Sequence, residues 1–170
     1  MRNRGRNLAL AVAAATFGAT GVVQAAAPGA AATMSKGSKQ IERGRYVVRI
    51  AGCNDCHTPG YAESGGTVPE SKWLTGDTLG WRGPWGTTYP PNLRDKIPRM
   101  SEDQWVKFAR TTRLRPPMPW FALRDMFEPD LRALHRFVVH LGPGGSPAPA
   151  YVPPDQEPKP PYITFPAPPK

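Results

Sequence analysis

Hydrophobic residues recur at helical spacing in three stretches of this 170-residue chain. The first stretch starts near Ser38 and predicts a helix of about three turns that leads directly into Cys53. The apolar line of this helix consists of Ile41, Gly44, Val48 and Ala51. Glycine at position 44 has no Cβ atom, so we expect another helix to approach the line closely there.

A second helix is predicted from Ser101 to about Thr111. Ser101 and Gln104 have the spacing of a capping box, in which each side chain bonds to the backbone N–H of the other residue. The buried stripe of this helix should consist of Trp105, Phe108 and Ala109. The helix has to end before residues 113–119, where three prolines exclude helical backbone.

The third predicted helix opens at Pro129 and stops at Gly142. Its continuous apolar stripe consists of Leu131, Leu134, Phe137, Val138 and Leu141. His140 projects from the opposite side of that stripe and is therefore a poor ligand for a group in the core. His135 lies on the flank of the stripe, and we expect it to be partly exposed.

The remaining stretches have neither a helical nor an alternating period. Residues 58–92 are rich in glycine and proline and contain three of the five tryptophans, which predicts a long loop packed over a buried face. Half of the 22 prolines lie beyond Gly142. Residues 143–170 therefore cannot form a second globular domain, and we predict an extended, Pro-rich tail.

The N-terminal residues have the pattern of a secretory signal peptide. Three arginines and no acid precede an apolar run over residues 8–23, which ends at a small-residue cleavage site. The run is shorter than the roughly 20 residues of a membrane span, and no arginine pair precedes it, which favours Sec-type export to the periplasm without a lasting membrane anchor. We assign residues 1–25 to the signal peptide, 26–36 to a flexible tether and 37–142 to one domain.

The formal net charge is +9, and removal of residues 1–25 would reduce it to +6. The basic residues are scattered among acids and do not cluster with aromatic residues on one element. We therefore expect no nucleic-acid partner.

The candidate chemistry lies in the pentapeptide C-N-D-C-H at residues 53–57, which contains the only two cysteines. This spacing is typical of one covalently attached haem c, in which both sulfurs bond to the porphyrin and the histidine becomes an axial iron ligand. A redox dithiol, half of a zinc site or a structural disulfide would use the same cysteines. A dithiol or disulfide leaves the histidine unexplained, and zinc would need two further ligands, for which only His135 and His140 remain. The expected haem-binding residues here are Cys53, Cys56 and His57.

Met118 is the residue that we expect to complete the coordination of the haem iron. It lies in the sequence Pro-Pro-Met-Pro, whose prolines reduce the conformational entropy lost when the sulfur is held near the metal. A thioether ligand is soft and raises the reduction potential of the iron. Met100 and Met126 are weaker candidates because neither is framed in this way. Arg82 and the indole N–H groups of the long loop are candidate partners of the haem propionates.

With these residues the chain resembles the class I, mitochondrial-type family of cytochromes c, and more closely its bacterial periplasmic monohaem members. The likeness covers about residues 37–142. It rests on the glycine-bearing helix before the cysteines, Leu74-Thr75-Gly76, Pro91-Asn92-Leu93, the Pro-Met-Pro-Trp segment at 117–120 and an aromatic-bearing last helix. The resemblance implies an all-α domain in which the first and last helices cross, with Gly44 facing an aromatic such as Phe137 and haem held in a crevice. The long loop and the tail depart from the family.

The motif and the resemblance predict a protein that carries single electrons between a periplasmic dehydrogenase and a cytochrome or oxidase. It would act either as a free carrier or as the haem subunit of that dehydrogenase, and no residue stands out as catalytic. Reversible binding or sensing of a diatomic gas is the alternative, and it would need an open sixth position on the iron. Thiol–disulfide catalysis is a third class and would need both cysteines free.

Overall fold

The computed structural model describes residues 35–166, so the predicted signal peptide and most of the predicted tether lie outside the described residues. Six α-helices and one three-stranded sheet form within this range. The helices are α1 (Lys36–Ile50), α2 (Cys53–His57), α3 (Leu93–Lys96), α4 (Glu102–Thr111), α5 (Trp120–Asp125) and α6 (Glu128–Leu141). None of these described helices is long and apolar enough to span a membrane.

The prediction of an all-α, class I cytochrome fold is wrong, because the chain also forms a sheet. Its strands are β1 (Gly80–Gly83), β2 (Gly86–Thr88) and β3 (Tyr162–Thr164). β1 lies in the centre and pairs antiparallel with β2 and parallel with β3. Each strand has only three or four residues, some of them glycines, which is too few to show an alternating pattern. The third strand comes from the predicted tail, so the sheet depends on a contact between distant parts of the chain.

The first and last helices pack closely against each other at Gly44. α1 begins slightly earlier than predicted, because the Ser35 hydroxyl accepts a hydrogen bond from the backbone N–H of Ser38 at 3.2 Å and caps the helix. A Cβ atom on Gly44 would lie 2.6 Å from the Cβ of Phe137 and would overlap the Ala133 carbonyl group. The glycine therefore permits the approach, and Phe137 is the aromatic residue that faces it.

The predicted ends of the other two long helices agree with the structure. At the start of α4 the Ser101 hydroxyl accepts from the N–H of Gln104 at 3.2 Å, and the Gln104 side chain accepts from the N–H of Ser101 at 2.8 Å. This confirms the capping box. α6 begins at Glu128 and stops at Gly142, whose φ of 68° is a conformation that glycine adopts readily.

The buried core is built from α1, α4, α6, the loop of residues 58–92 and Ile97, which follows α3. Its members are Val47, Val48, Tyr61, Trp73, Leu74, Ile97, Trp105, Ala109, Leu131, Leu134, Phe137 and Val138. Trp73 packs edge-on against Phe137 with 6.2 Å between ring centroids, so the loop covers a buried face as predicted. The expectation that His135 is partly exposed is wrong: it is buried, and its Nε2 lies 2.8 Å from the carbonyl oxygen of Met100.

The tail returns to the hairpin that β1 and β2 form. Val152 exchanges two backbone hydrogen bonds with Thr87, at 2.7 and 3.0 Å. The ring of Phe165 lies 5.8 Å from that of Trp81 and 5.4 Å from that of Trp85, measured between centroids. The aromatic ring of Phe165 in the tail therefore packs on the hairpin.

Candidate functional site

The Cys-x-x-Cys-His residues form the short helix α2, which follows α1 after a sharp turn. Gly52 makes this turn with a φ of 67°, a left-handed conformation in which glycine is not strained. Cys53 and Cys56 are three residues apart on one helix, so their side chains lie on the same side of it. The hydroxyl of Thr58 donates to the buried side chain of Asn54 at 2.8 Å and closes the end of the helix.

His57 is buried, and its Nδ1 lies 2.9 Å from the carbonyl oxygen of Pro91. Because a carbonyl oxygen only accepts hydrogen bonds, Nδ1 carries the proton and Nε2 keeps a lone pair for a metal ion. Burial lowers the pKa of His57, and the bond to Pro91 opposes this shift only in part. The neutral imidazole is the form that binds metals, so the site favours the role predicted for this residue.

Arg94 anchors the segment that contains Pro91 to the end of α6. It is a buried arginine whose guanidinium donates to the carbonyl oxygens of Ser71 and Gly142 at 2.7 and 2.6 Å. A guanidinium has five donors in a rigid plane, and carbonyl groups at a helix C-terminus lack intrahelical partners. The hydrogen-bond acceptor of His57 is therefore tied to the last helix.

Cys53 and Cys56 carry free thiols in the described part of the chain. Burial raises the pKa of Cys53 to about 12 and raises the pKa of Cys56 above its usual value. The charge of Asp55 adds to both shifts by repulsion. A dithiol catalyst needs a thiolate, which a lowered pKa supplies, so this environment does not favour thiol–disulfide catalysis.

One cavity of about 370 Å³ brings together the four residues predicted to bind haem. These residues are Cys53, Cys56, His57 and Met118. The volume falls within the roughly 300–1,000 Å³ of typical ligand pockets. Hydrophobic side chains from five helices line the cavity, among them Val48, Leu93, Trp105, Phe108, Leu123 and Leu134. Two thiols, an imidazole and a thioether in an apolar wall are a donor set that fits a covalently held haem.

A larger and more open depression of about 790 Å³ lies beside α1. Charged residues, including Arg45, Arg49 and Asp55, line it, and the four predicted haem-binding residues do not. A less open and more apolar cavity removes more of an apolar ligand from water than an open charged one, so the smaller cavity is the candidate site.

Two methionines, Met118 and Met100, line the candidate cavity. The backbone N–H of Met118 donates to the carbonyl of Arg115 at 3.3 Å, so the proline-framed Met118 closes a turn. Met126 and His135 do not line the cavity. Met118 as the axial ligand therefore stays a prediction, and Met100 is the competitor that a test has to include.

Trp81 also lines the cavity, and its indole N–H is buried without an acceptor among residues 35–166. Leaving such a donor unpaired costs roughly 1–3 kcal/mol, so an acidic group of a bound molecule beside it would be stabilising. Arg82, predicted to contact the same acidic groups, instead forms an ion pair with Glu157 of the tail at 3.0 Å. Arg115 and Lys96 are the basic residues that line the cavity.

Sequence reasoning missed two residues of the tail, Pro149 and Tyr151, which line the cavity as well. Tyr151 stands out in the sequence as an aromatic residue in a proline-rich segment. No local pattern indicates which surface it contacts, because that contact joins residues far apart in the chain.

Among the described residues, no three His, Cys, Asp or Glu side chains lie close enough together to hold a metal ion. No protein-family model, no curated protein and no solved structure matches the chain. The proposed function therefore depends on the motif and on the geometry of the cavity.

Proposed function

We propose that this protein is a monohaem c-type cytochrome, which carries single electrons in the periplasm. The observation that supports the proposal is the cavity, in which Met118 joins Cys53, Cys56 and His57 although more than 60 residues separate it from them. The covalent-attachment motif and a second soft ligand at one apolar site are together typical of this class.

A haem held in this cavity would supply a one-electron couple between ferric and ferrous iron. The thiols of Cys53 and Cys56 are the groups that would form thioether bonds to it. Pro91 holds the proton of His57 on Nδ1, so the lone pair of Nε2 would be free to bind the iron. The mostly apolar wall would lower the local dielectric around a bound haem, and a low local dielectric is one of the factors that set a reduction potential.

We expect the protein to transfer electrons without catalysing a reaction of its own. A periplasmic dehydrogenase would donate, and a cytochrome or oxidase would accept, with the chain either free or bound to the dehydrogenase as its haem subunit. The signal-peptide pattern supports this location. Two methionines in the cavity favour a filled sixth position over the open one that gas binding needs.

Mass spectrometry of the denatured, exported protein tests the proposal. We expect the mass of the polypeptide plus one haem, because two thioether bonds survive denaturation and extraction with acidic organic solvent. The double variant Cys53→Ala/Cys56→Ala is the control and should lose its haem in the same extraction. Two haems, or a haem-free chain with Cys53 and Cys56 bridged, would overturn the proposal. Ready binding of carbon monoxide by the ferrous parent would favour the gas-binding alternative.

A further inference from the structure

The tail takes part in the cavity that holds the predicted haem-binding residues. We call residues 149–165 the tail segment, and residues 112–119, between α4 and α5, the Met118 loop. Pro149 and Tyr151 of the tail segment line the same cavity as Met118. The wall of the cavity is therefore incomplete without the tail segment.

Specific contacts hold Tyr151 on the hairpin. Its hydroxyl donates to the carbonyl oxygen of Trp85 at 2.8 Å, and the next residue, Val152, exchanges two backbone hydrogen bonds with Thr87. Gly86 permits this approach: a Cβ atom there would lie 2.5 Å from the Val152 carbonyl oxygen and 2.7 Å from the Tyr151 hydroxyl. The ring of Tyr151 is thus fixed relative to the sheet.

Arg115 of the Met118 loop lies on the face of this ring. Its guanidinium carbon is 4.0 Å from the ring centroid, the shortest distance of this kind among the described residues. A guanidinium over an aromatic face is attracted by the ring quadrupole. The carbonyl oxygen of Arg115 accepts from the N–H of Met118, so the residue that Tyr151 holds also shapes the turn at Met118.

A second contact joins the Met118 loop to the same hairpin. The hydroxyl of Thr88, the last residue of β2, donates to the carbonyl oxygen of Pro116 at 2.6 Å. The Met118 loop therefore rests on the sheet directly through Thr88 and indirectly through Tyr151. Thr88, Arg115 and Tyr151 all line the cavity together with Met118.

We infer that Tyr151 is a positioning residue, which holds the Met118 loop against the cavity through its contact with Arg115. The inference rests on the proposed function, in which the sulfur of Met118 binds the iron. A loop that has lost this contact spends more time away from the cavity, so an added ligand competes more easily for the position that Met118 occupies.

Imidazole titration of the ferric holoprotein, followed by visible and near-infrared spectra, tests the inference. We expect Tyr151→Leu to bind imidazole roughly three- to fivefold more tightly than the parent, since Arg115 is exposed and the loss of one exposed cation–π contact changes an equilibrium by about this factor. Tyr151→Phe keeps the ring and should stay within about twofold of the parent. Arg115→Leu removes the other partner and should act like Tyr151→Leu, and combining the two should add little because both remove one contact.

Tyr162→Leu is the matched control, because Tyr162 is also a tail tyrosine beside an arginine, Arg82, but does not line the cavity. It should bind imidazole as the parent does. An equal gain in Tyr162→Leu, or parent affinity in both Tyr151→Leu and Arg115→Leu, would overturn the inference and leave the proposed function intact. If Tyr151→Leu does not fold, imidazole binding by Arg115→Leu decides the test alone. A parent without covalent haem would overturn both.

Discussion

The two expected iron ligands, His57 and Met118, are held in very different ways. His57 follows Cys56 in the chain, so α2 places it beside the thiols, and Pro91 fixes its ring. Met118 is only half-buried and shares the cavity with Met100. The position of Met118 is therefore less constrained than that of His57. A substitution at Met118 is the clearer test of which residue is the second iron ligand.

We predict that Met118→Ala lowers the reduction potential and opens the iron to carbon monoxide. A methionine ligand stabilises ferrous iron relative to water, and its loss removes that stabilisation. The weak near-infrared band that methionine gives to ferric haem should disappear completely. Redox titration and spectra of Met118→Ala, beside Met100→Ala and His135→Ala under the same conditions, check this.

Met100→Ala and His135→Ala should keep both the band and the potential of the parent. His135 points its Nε2 at the carbonyl of Met100 and does not line the cavity, so it is the more distant control. Loss of the band in Met100→Ala, with the band intact in Met118→Ala, would transfer the ligand assignment to Met100.

Among the elements, the contact between α1 and α6 has the strictest steric requirement. Gly44 faces the carbonyl of Ala133 and the Cβ of Phe137, and a backbone carbonyl in the middle of a helix cannot rotate away. An ion pair between Arg43 and Asp130, at 2.7 Å, joins the same two helices at their surface. Such exposed pairs contribute little, so the close packing at the glycine determines how well the helices fit.

We predict that Gly44→Ala destabilises the protein by about 1–2 kcal/mol. Alanine gains about 1 kcal/mol in helix propensity, but overpacking of a close contact costs about 1–3 kcal/mol, and contact with a backbone group favours the upper end. Urea unfolding of the holoprotein measures the difference. Gly37→Ala is the control in the same helix, because its Cβ would lie 3.8 Å from the Ser35 hydroxyl, an ordinary contact. Gly37→Ala should be at least as stable as the parent. If Gly44→Ala stabilised the protein as much as Gly37→Ala does, the predicted clash at Gly44 would be disproved.

Across the whole molecule, the sheet joins parts of the chain that sequence patterns treat as separate. β1 and β2 come from the long loop, β3 comes from the tail, and Thr88 and Tyr151 connect them to the Met118 loop. The helices carry the motif and most of the core. The sheet and the tail segment close the side of the cavity where Met118 lies.

We predict that truncation after residue 148 destabilises the protein by about 2 kcal/mol or more and exposes the tryptophans of the hairpin. The truncation removes Phe165 from between Trp81 and Trp85, and aromatic pairs of this kind contribute about 0.5–1.5 kcal/mol each beyond buried area. Urea unfolding and a red shift in tryptophan emission measure the effect. Truncation after residue 166 keeps every described contact and is the control. Parent stability in the longer truncation would show that the tail is dispensable.

The sequence by itself determined those features whose signals lie within a few residues of each other. The capping box of Ser101 and Gln104, the stop at Gly142 and the turn at Gly52 each depend on one residue or one short spacing. The same holds for the placement of His57 beside two cysteines on α2. Gly44 also predicted the close approach of another helix, because only a missing side chain permits that contact.

Only the tertiary structure decided the features that depend on contacts between distant residues. Strands of three or four residues are too short to show an alternating pattern, so the sequence predicted an all-α fold. The sheet forms only because the loop and the tail pair in the folded chain. The sequence likewise gave no local signal for the partners of its long, flexible arginines. Arg82 forms an ion pair with Glu157, and Arg115 lies on the ring of Tyr151. Which methionine meets the iron belongs to this second group, since Met118 and Met100 reach one cavity from opposite ends of α4.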